Sequence, residues 1–178
     1  MKKAKTLLAL ALVIVVMFSF STSAFAAGAD DAQYKTTKAL LTQIDGLEGL
    51  EYTVAGIISS DGTNYEKVLL NYSGDLSNYT SNIVAFFNED CDEVTFCLFN
   101  LINFDEANLA DVLAKINNIN ATTLGGMKLY VDTSDNSVTA ELYQLVSEES
   151  AADLLPVAFG FVIGYTDQVF ELLQDYAI

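Results

Sequence analysis

The sequence predicts an α+β fold: an antiparallel sheet of five to six strands with three helices, in the order helix, three or four strands, helix, two strands, helix. Two patterns carry this prediction. Apolar residues recur at helical spacing in three segments, and short runs rich in Val, Ile, Phe and Tyr, separated by polar turns, lie between them. A chain of 178 residues with a single proline has the length and composition of one ordered domain with a substantial core.

The first half of the chain contains one predicted helix and four predicted strands. The helix is expected from Asp31 to Asp45, and Gly46 after it supplies the left-handed conformation at which many helices end. The fourth strand is apolar on both faces, so we expect it to lie centrally in the sheet with cover on each side. The predicted strands are Tyr52–Ile58, Tyr65–Tyr72, Ser81–Phe87 and Val94–Ile102.

A second helix, a hairpin and a third helix follow. The second helix is predicted from Asp105 to Asn117, and the hairpin has strands Met127–Asp132 and Val138–Val146. In the last helix, Pro156 is expected either to introduce a kink or to mark the start. The apolar stripes that we expect to face the core are Leu109, Val112, Leu113 and Ile116 in the second helix, and Leu155, Phe159, Val162, Val169, Leu173 and Tyr176 in the last.

The first 26 residues have the three-part layout of a secretory signal peptide. Three lysines precede an uncharged, mostly apolar run from Thr6 to Phe20, and small residues follow up to Ala26. The run is shorter than the ~20 residues that a helix needs to span a bilayer, so an uncleaved anchor is the less favoured alternative. We therefore expect residues 1–26 to be a signal peptide and residues 27–178 to form one domain outside the cytoplasm, secreted or in the cell envelope.

Charge limits the classes of partner. The residues after Ala26 contain five lysines, no arginine and all 24 acidic residues, a net charge of −19. Such a surface repels phosphate backbones and anionic lipids, so nucleic acid and membrane partners are not expected. Solubility is the simplest consequence of this charge, and basic partners or cations remain open.

The sequence lacks most of the residues that catalysis and metal binding use. Without histidine it has no Ser-His-Asp or Cys-His arrangement, and the turns at Asn88 and Asp132 do not have the spacing of a calcium-binding EF-hand loop. Cys91 and Cys97 are too far apart in either a strand or a helix to form a disulfide, so we expect free thiols. We predict no catalytic residue, no cofactor and no metal site.

Three segments resemble a known family. The strand and turn Ile83–Asp90, the helix end Ile116–Asn120, and the hairpin Met127–Asp132 with its return strand Val138–Glu141 are similar to the YbjN family of bacterial sensory transduction regulators. The likeness extends over most of the chain, from about Tyr34 to Tyr176, although Cys91 stands where the family's turn usually has Gly.

This resemblance implies a fold like that of the type III secretion chaperones and a binding or regulatory module with no catalytic activity. It assigns a structural role to Asn117, Asn120 and Asp132. The leading hypothesis is thus an exported module that binds a protein or peptide partner through its sheet face or last helix, with a homodimer as an open possibility. One alternative is an acidic structural protein of the envelope that binds cations weakly, and a less favoured one is a hydrolase that uses carboxylates.

Overall fold

A computed structural model describes residues 28–74, 81–122 and 126–178. The predicted signal peptide therefore lies outside the described residues. The described residues form three α-helices and six strands, with short 3-10 turns at Ala29–Asp31, Glu106–Asn108 and Gln174–Tyr176. In chain order the elements are α1 (Lys35–Ile44), β1 (Leu50–Ser60), β2 (Thr63–Tyr72), β3 (Ser81–Asn88), β4 (Glu93–Asn103), α2 (Leu109–Thr122), β5 (Lys128–Asp132), β6 (Ser137–Leu145) and α3 (Ala151–Leu173).

The six strands form one antiparallel sheet in the order β1-β2-β3-β4-β6-β5. The predicted α+β class and order of elements are confirmed. As predicted, β4 is central: it pairs with β3 on one side and β6 on the other. β1 and β5 are the two edges of the sheet.

One face of the sheet and all three helices build the main core. Leu40 and Leu41 of α1, Val112 and Ile116 of α2, and the predicted stripe of α3 pack against alternate residues of β2, β3, β4, β6 and β5. The five members of that stripe within α3 are buried, and Tyr176 is half-buried just beyond it. Within the described residues no helix is long and apolar enough to cross a membrane.

The prediction for the first helix is wrong at its start. The segment Ala29–Asp31 forms a separate 3-10 turn, and α1 begins only at Lys35. The reason is a long-range contact: the buried Glu66 carboxylate of β2 accepts the backbone N–H groups of Gln33 (2.8 Å) and Tyr34 (2.9 Å), which fixes the chain just before the helix. Gly46, at φ 76°, does follow the end of the helix as predicted.

The prediction for the second helix is wrong at both ends. The Asp105 side chain accepts the N–H of Ala107 and starts a 3-10 turn, so α2 begins at Leu109. It continues to Thr122 because burial of Ile119 in the core stabilises another turn of helix. Leu113, predicted to face the core, is 40% exposed.

In the last helix, α3 begins at Ala151 and runs through Pro156, so the alternative that Pro156 marks its start is wrong.

The turn between β3 and β4 holds Cys91 in an uncommon backbone conformation. Cys91 has φ 55°, in the left-handed region that favours glycine. The buried Asn88 stabilises this turn, because its side-chain oxygen accepts the N–H groups of Asp92 and Glu93. Cys91 and Cys97 are both free thiols, and both are buried.

Candidate functional site

The sheet has a second apolar surface, on the side away from the helices. Alternation along the strands places Val84, Phe86 and Cys97 on this side, and no helix in the described part of the chain packs there. We call this surface the open face. Its other apolar members, partly buried and packed against those three, are Ile58, Tyr65, Leu69 and Phe99.

Two charged side chains lie among these apolar residues. Lys67 of β2 is 2% exposed and is the cross-strand partner of Phe86. Glu141 of β6 is half-buried and is the cross-strand partner of Cys97. Desolvation lowers the pKa of Lys67 and raises the pKa of Glu141, because burial penalises the charged form of each. The open face is thus apolar with a small number of desolvated ionisable groups.

Burial also disfavours the thiolate form of Cys97, the cysteine on this face. Burial, and secondarily the Glu141 carboxylate, raise the pKa of Cys97 well above its ordinary value. A thiolate is the nucleophilic form of cysteine, so this environment favours packing over reactivity.

A tyrosine and a glutamate define one end of the open face. Tyr143 donates a hydrogen bond of 2.6 Å to Oε2 of Glu93. This bond, with desolvation, raises the pKa of Tyr143 to about 12. Tyr143 is 50% exposed, so its ring remains accessible as a contact surface.

A groove of about 330 Å³ lies at the other end, across β1, β2 and β3. Leu69 and Val84 form its apolar part, and polar side chains including Glu51 surround them. The Asn71 amide donates to the Asn82 side-chain oxygen at 2.9 Å and closes one side. An apolar floor with a few polar groups around it is the general composition of ligand-binding clefts.

The three residues singled out by the family resemblance lie elsewhere, near the β5 edge. Asn120 of α2 makes two hydrogen bonds of 2.9 Å to one residue of β5: its oxygen accepts the N–H of Leu129 and its amide donates to the Leu129 carbonyl. Asp132 accepts the N–H and the hydroxyl of Ser134 and so shapes the β5–β6 turn. Asn117 is exposed on α2, and no hydrogen bond within the described residues joins its side chain to Asn120 or Asp132.

Two carboxylates with little exposure, Glu66 and Glu141, lie on opposite faces of the sheet. Glu66 is fully buried on the core face, where it binds backbone N–H groups, whereas Glu141 lies on the open face. Across the described residues there is no group of three or more Cys, Asp or Glu side chains placed to hold a metal ion.

Sequence reasoning missed Glu66, Lys67 and Glu141. The available signal was position in a strand: Glu66 and Lys67 are consecutive in a predicted strand, so they must point to opposite faces, and both faces of the neighbouring strands are apolar. Comparison with known proteins adds nothing to this geometry, since no family model and no curated protein matches the chain.

Proposed function

We propose that this protein is an exported module without catalytic activity that binds another protein or a peptide on the open face of its sheet. The observation that carries the proposal is the apolar cluster around Val84, Phe86 and Cys97, which lies opposite the helix-covered core and has partly exposed margins. A sheet that served only as a scaffold would be expected to carry polar residues on its second face. The three central side chains are only 5–8% exposed, so the accessible apolar surface is that of the partly buried margin, Ile58, Tyr65, Leu69 and Phe99. Accessible apolar surface at such a place marks an interaction site.

The proposal draws on two further observations. The resemblance to YbjN proteins and to secretion chaperones implies a binding module, and the groove beside Leu69 supplies the concave part of a recognition surface. The strongly acidic composition adds a preference for basic partners, because charge of one sign steers association and suppresses partners of the same sign.

Site-specific photo-crosslinking in the native cells tests the proposal. A photoreactive phenylalanine analogue is introduced at Phe99 on the open face or, as a matched control, at Leu113, an exposed apolar residue of α2. We expect a defined partner to be captured from position 99 and not from position 113. The purified partner should then bind the parent protein and lose at least about tenfold in affinity with Leu69→Glu. Equal capture from both positions, or none, would count against the open face.

A further inference from the structure

The two edges of the sheet differ in how their backbone groups are occupied. At the β5 edge, the Asn120 side chain binds both the N–H and the C=O of Leu129, each at 2.9 Å. Because both backbone groups bind Asn120 and not the paired residue Ala140 of β6, they point away from the sheet, to the side where another strand would attach. Asn120 therefore blocks strand addition at β5.

The β1 edge has no equivalent block among the described residues. Apart from its pairing with β2, this strand makes one backbone hydrogen bond within the described residues, from the Leu50 N–H to the Leu47 carbonyl at 3.1 Å. Edge strands are commonly protected by proline, lysine or shortness, but β1 has 11 residues, neither of those residue types, and Glu51 as its only charged residue. Its one protective feature is the bulge between Val54 and Gly56.

The hairpin geometry identifies backbone groups that point outward. Asp61 (φ 51°) and Gly62 (φ 85°) form a two-residue turn, so Ser60 and Thr63 are the hydrogen-bonded pair that closes it. Alternate residues of an antiparallel pair then direct both backbone groups away from the partner strand. Counting back from the turn, Ile57 is such a residue, and its side chain is 38% exposed.

We propose that β1 accepts an extended segment of the partner as a seventh strand, and that this segment alternates basic and apolar residues. The inference rests on the proposed binding function and names its mode and partner chemistry. Glu51 is exposed on the open-face side of β1, at the rim of the groove, and the chain after Ala26 has a net charge of −19, so basic side chains on that side are attracted. The other side chains of the added strand lie on the opposite, helix-covered side of the sheet. There they are beside Val54 and Ile57, where apolar residues fit.

A second copy of this chain is the less favoured occupant. Joining two β1 edges would bring together two domains that each carry a net charge of −19 and have no arginine to offset it. A basic segment meets no such repulsion.

The test uses two peptides of identical composition and ¹⁵N-labelled protein. One probe alternates Lys and Val over eight residues, and the control has the four Lys residues followed by the four Val residues. We expect the alternating peptide to slow hydrogen exchange at the Ile57 amide by at least about tenfold, since each added strand bond must open first. The block peptide, with the same charge, should leave that amide unchanged.

Two pairs of variants separate strand addition from general charge attraction. Glu51→Lys and Glu48→Lys change the net charge equally, and both residues are exposed, but only Glu51 lies in β1. We expect Glu51→Lys to weaken binding of the alternating peptide by at least about fivefold and Glu48→Lys by less than about twofold. Ile57→Pro removes one outward-pointing backbone N–H and should also weaken binding of the alternating peptide. If that variant does not fold, the comparison of Glu51→Lys with Glu48→Lys still distinguishes strand addition from charge attraction.

Each outcome has a defined meaning. Protection at β1 that depends on alternation and on Glu51 supports the inference. Peptide-induced shifts at Phe86 and Cys97 without protection at β1 would overturn strand addition and leave the open face as the binding surface. Equal effects of the two peptides, no binding of either, or concentration-dependent protection of β1 without peptide would also overturn it, the last by pointing to a second copy.

Discussion

The two ends of the sheet are attached to their helices in opposite ways. At the β5 end, a helix reaches the edge strand: Asn120 of α2 binds the backbone of Leu129. At the β1 end, the attachment is made one strand further in, where Glu66 of β2 binds the backbone of Gln33 and Tyr34 ahead of α1. The contact of Asn120 therefore occupies the β5 edge, whereas the contact of Glu66 leaves the β1 edge without a described helix against it.

Whether an edge strand can accept another strand thus depends on which strand of the sheet binds the helical segment. Both attachments satisfy two backbone groups with one side chain, and both bury polar groups that would otherwise be unpaired. Only the one at β5 uses groups that another strand would need.

Removing the Glu66 carboxylate should cause the largest loss of stability. Glu66→Ala deletes two hydrogen bonds to a buried carboxylate, which are worth about 1.5 to 3 kcal/mol each, so we expect a loss of about 3 to 6 kcal/mol in the free energy of unfolding. Urea denaturation measures it. Glu66→Gln keeps one acceptor and should lose less, and the exposed Glu51→Ala should lose under about 0.5 kcal/mol. Similar losses for Glu66→Ala and Glu51→Ala would contradict the assigned role.

Asn120 and Asn117 offer a matched pair at the other attachment. Asn120→Ala removes both bonds to Leu129, and we expect it to lower the free energy of unfolding by about 2 kcal/mol. Asn117→Ala, three residues earlier on the same helix but exposed, should change it by less than about 0.5 kcal/mol. Thermal or urea unfolding of the two variants is the measurement. A large effect of Asn117→Ala would contradict the distinction between the two asparagines.

Much of the fold could be predicted from local pattern. Short runs rich in Val, Ile, Phe and Tyr between polar turns predicted the six strands of the described residues, and the α3 stripe from Leu155 to Leu173 is buried as expected. The errors occur where a distant residue decides the structure. The start of α1 depends on Glu66, about thirty positions away in the chain, and no local propensity contains that contact. The end of α2 depends on Ile119 meeting the core, which its asparagine-rich surroundings do not indicate.

Less of the candidate site could be predicted. The doubly apolar β4 correctly indicated a central strand, but in the described residues the helices cover only one of its faces, and Cys97 lies on the other, the open face. Which charged residues are desolvated could not be deduced, because Glu66 and Lys67 are adjacent and strand alternation alone does not tell which of two apolar faces the helices cover. The asymmetry of the edges also needed the strand order, since β1 and β5 are far apart in sequence.

Hydrogen exchange compares the two edges directly in the unbound protein. We expect the Leu129 amide to exchange at least about tenfold more slowly than the Ile57 amide, although β5 has 5 residues and β1 has 11. The reason is that Leu129 donates to Asn120, whereas Ile57 points outward. In Asn120→Ala the Leu129 amide should approach the rate of Ile57. Equal rates in the parent protein would remove the distinction between the edges.

The smallest effect concerns the carboxylates beside each edge. Glu51, near the β1 edge, is exposed, whereas Glu141, one strand in from β5, is half-buried, and desolvation raises the pKa of Glu141. Its cross-strand partner Lys128 directs Nζ to the Asn120 carbonyl, at 3.4 Å.

A carboxyl whose pKa is raised by folding stabilises the protein below the unfolded pKa, and this stability is lost as the pH rises through the folded pKa. Glu141→Gln cannot ionise, so at pH 7 it should unfold at a higher urea concentration than the parent, with a gain under about 1 kcal/mol because water still screens the half-buried charge. Near pH 3 the gain should vanish, since the parent carboxyl is then protonated in both states. An equal gain at both pH values would show that the substitution acts through packing, and desolvation near the β5 edge would then contribute nothing measurable to stability.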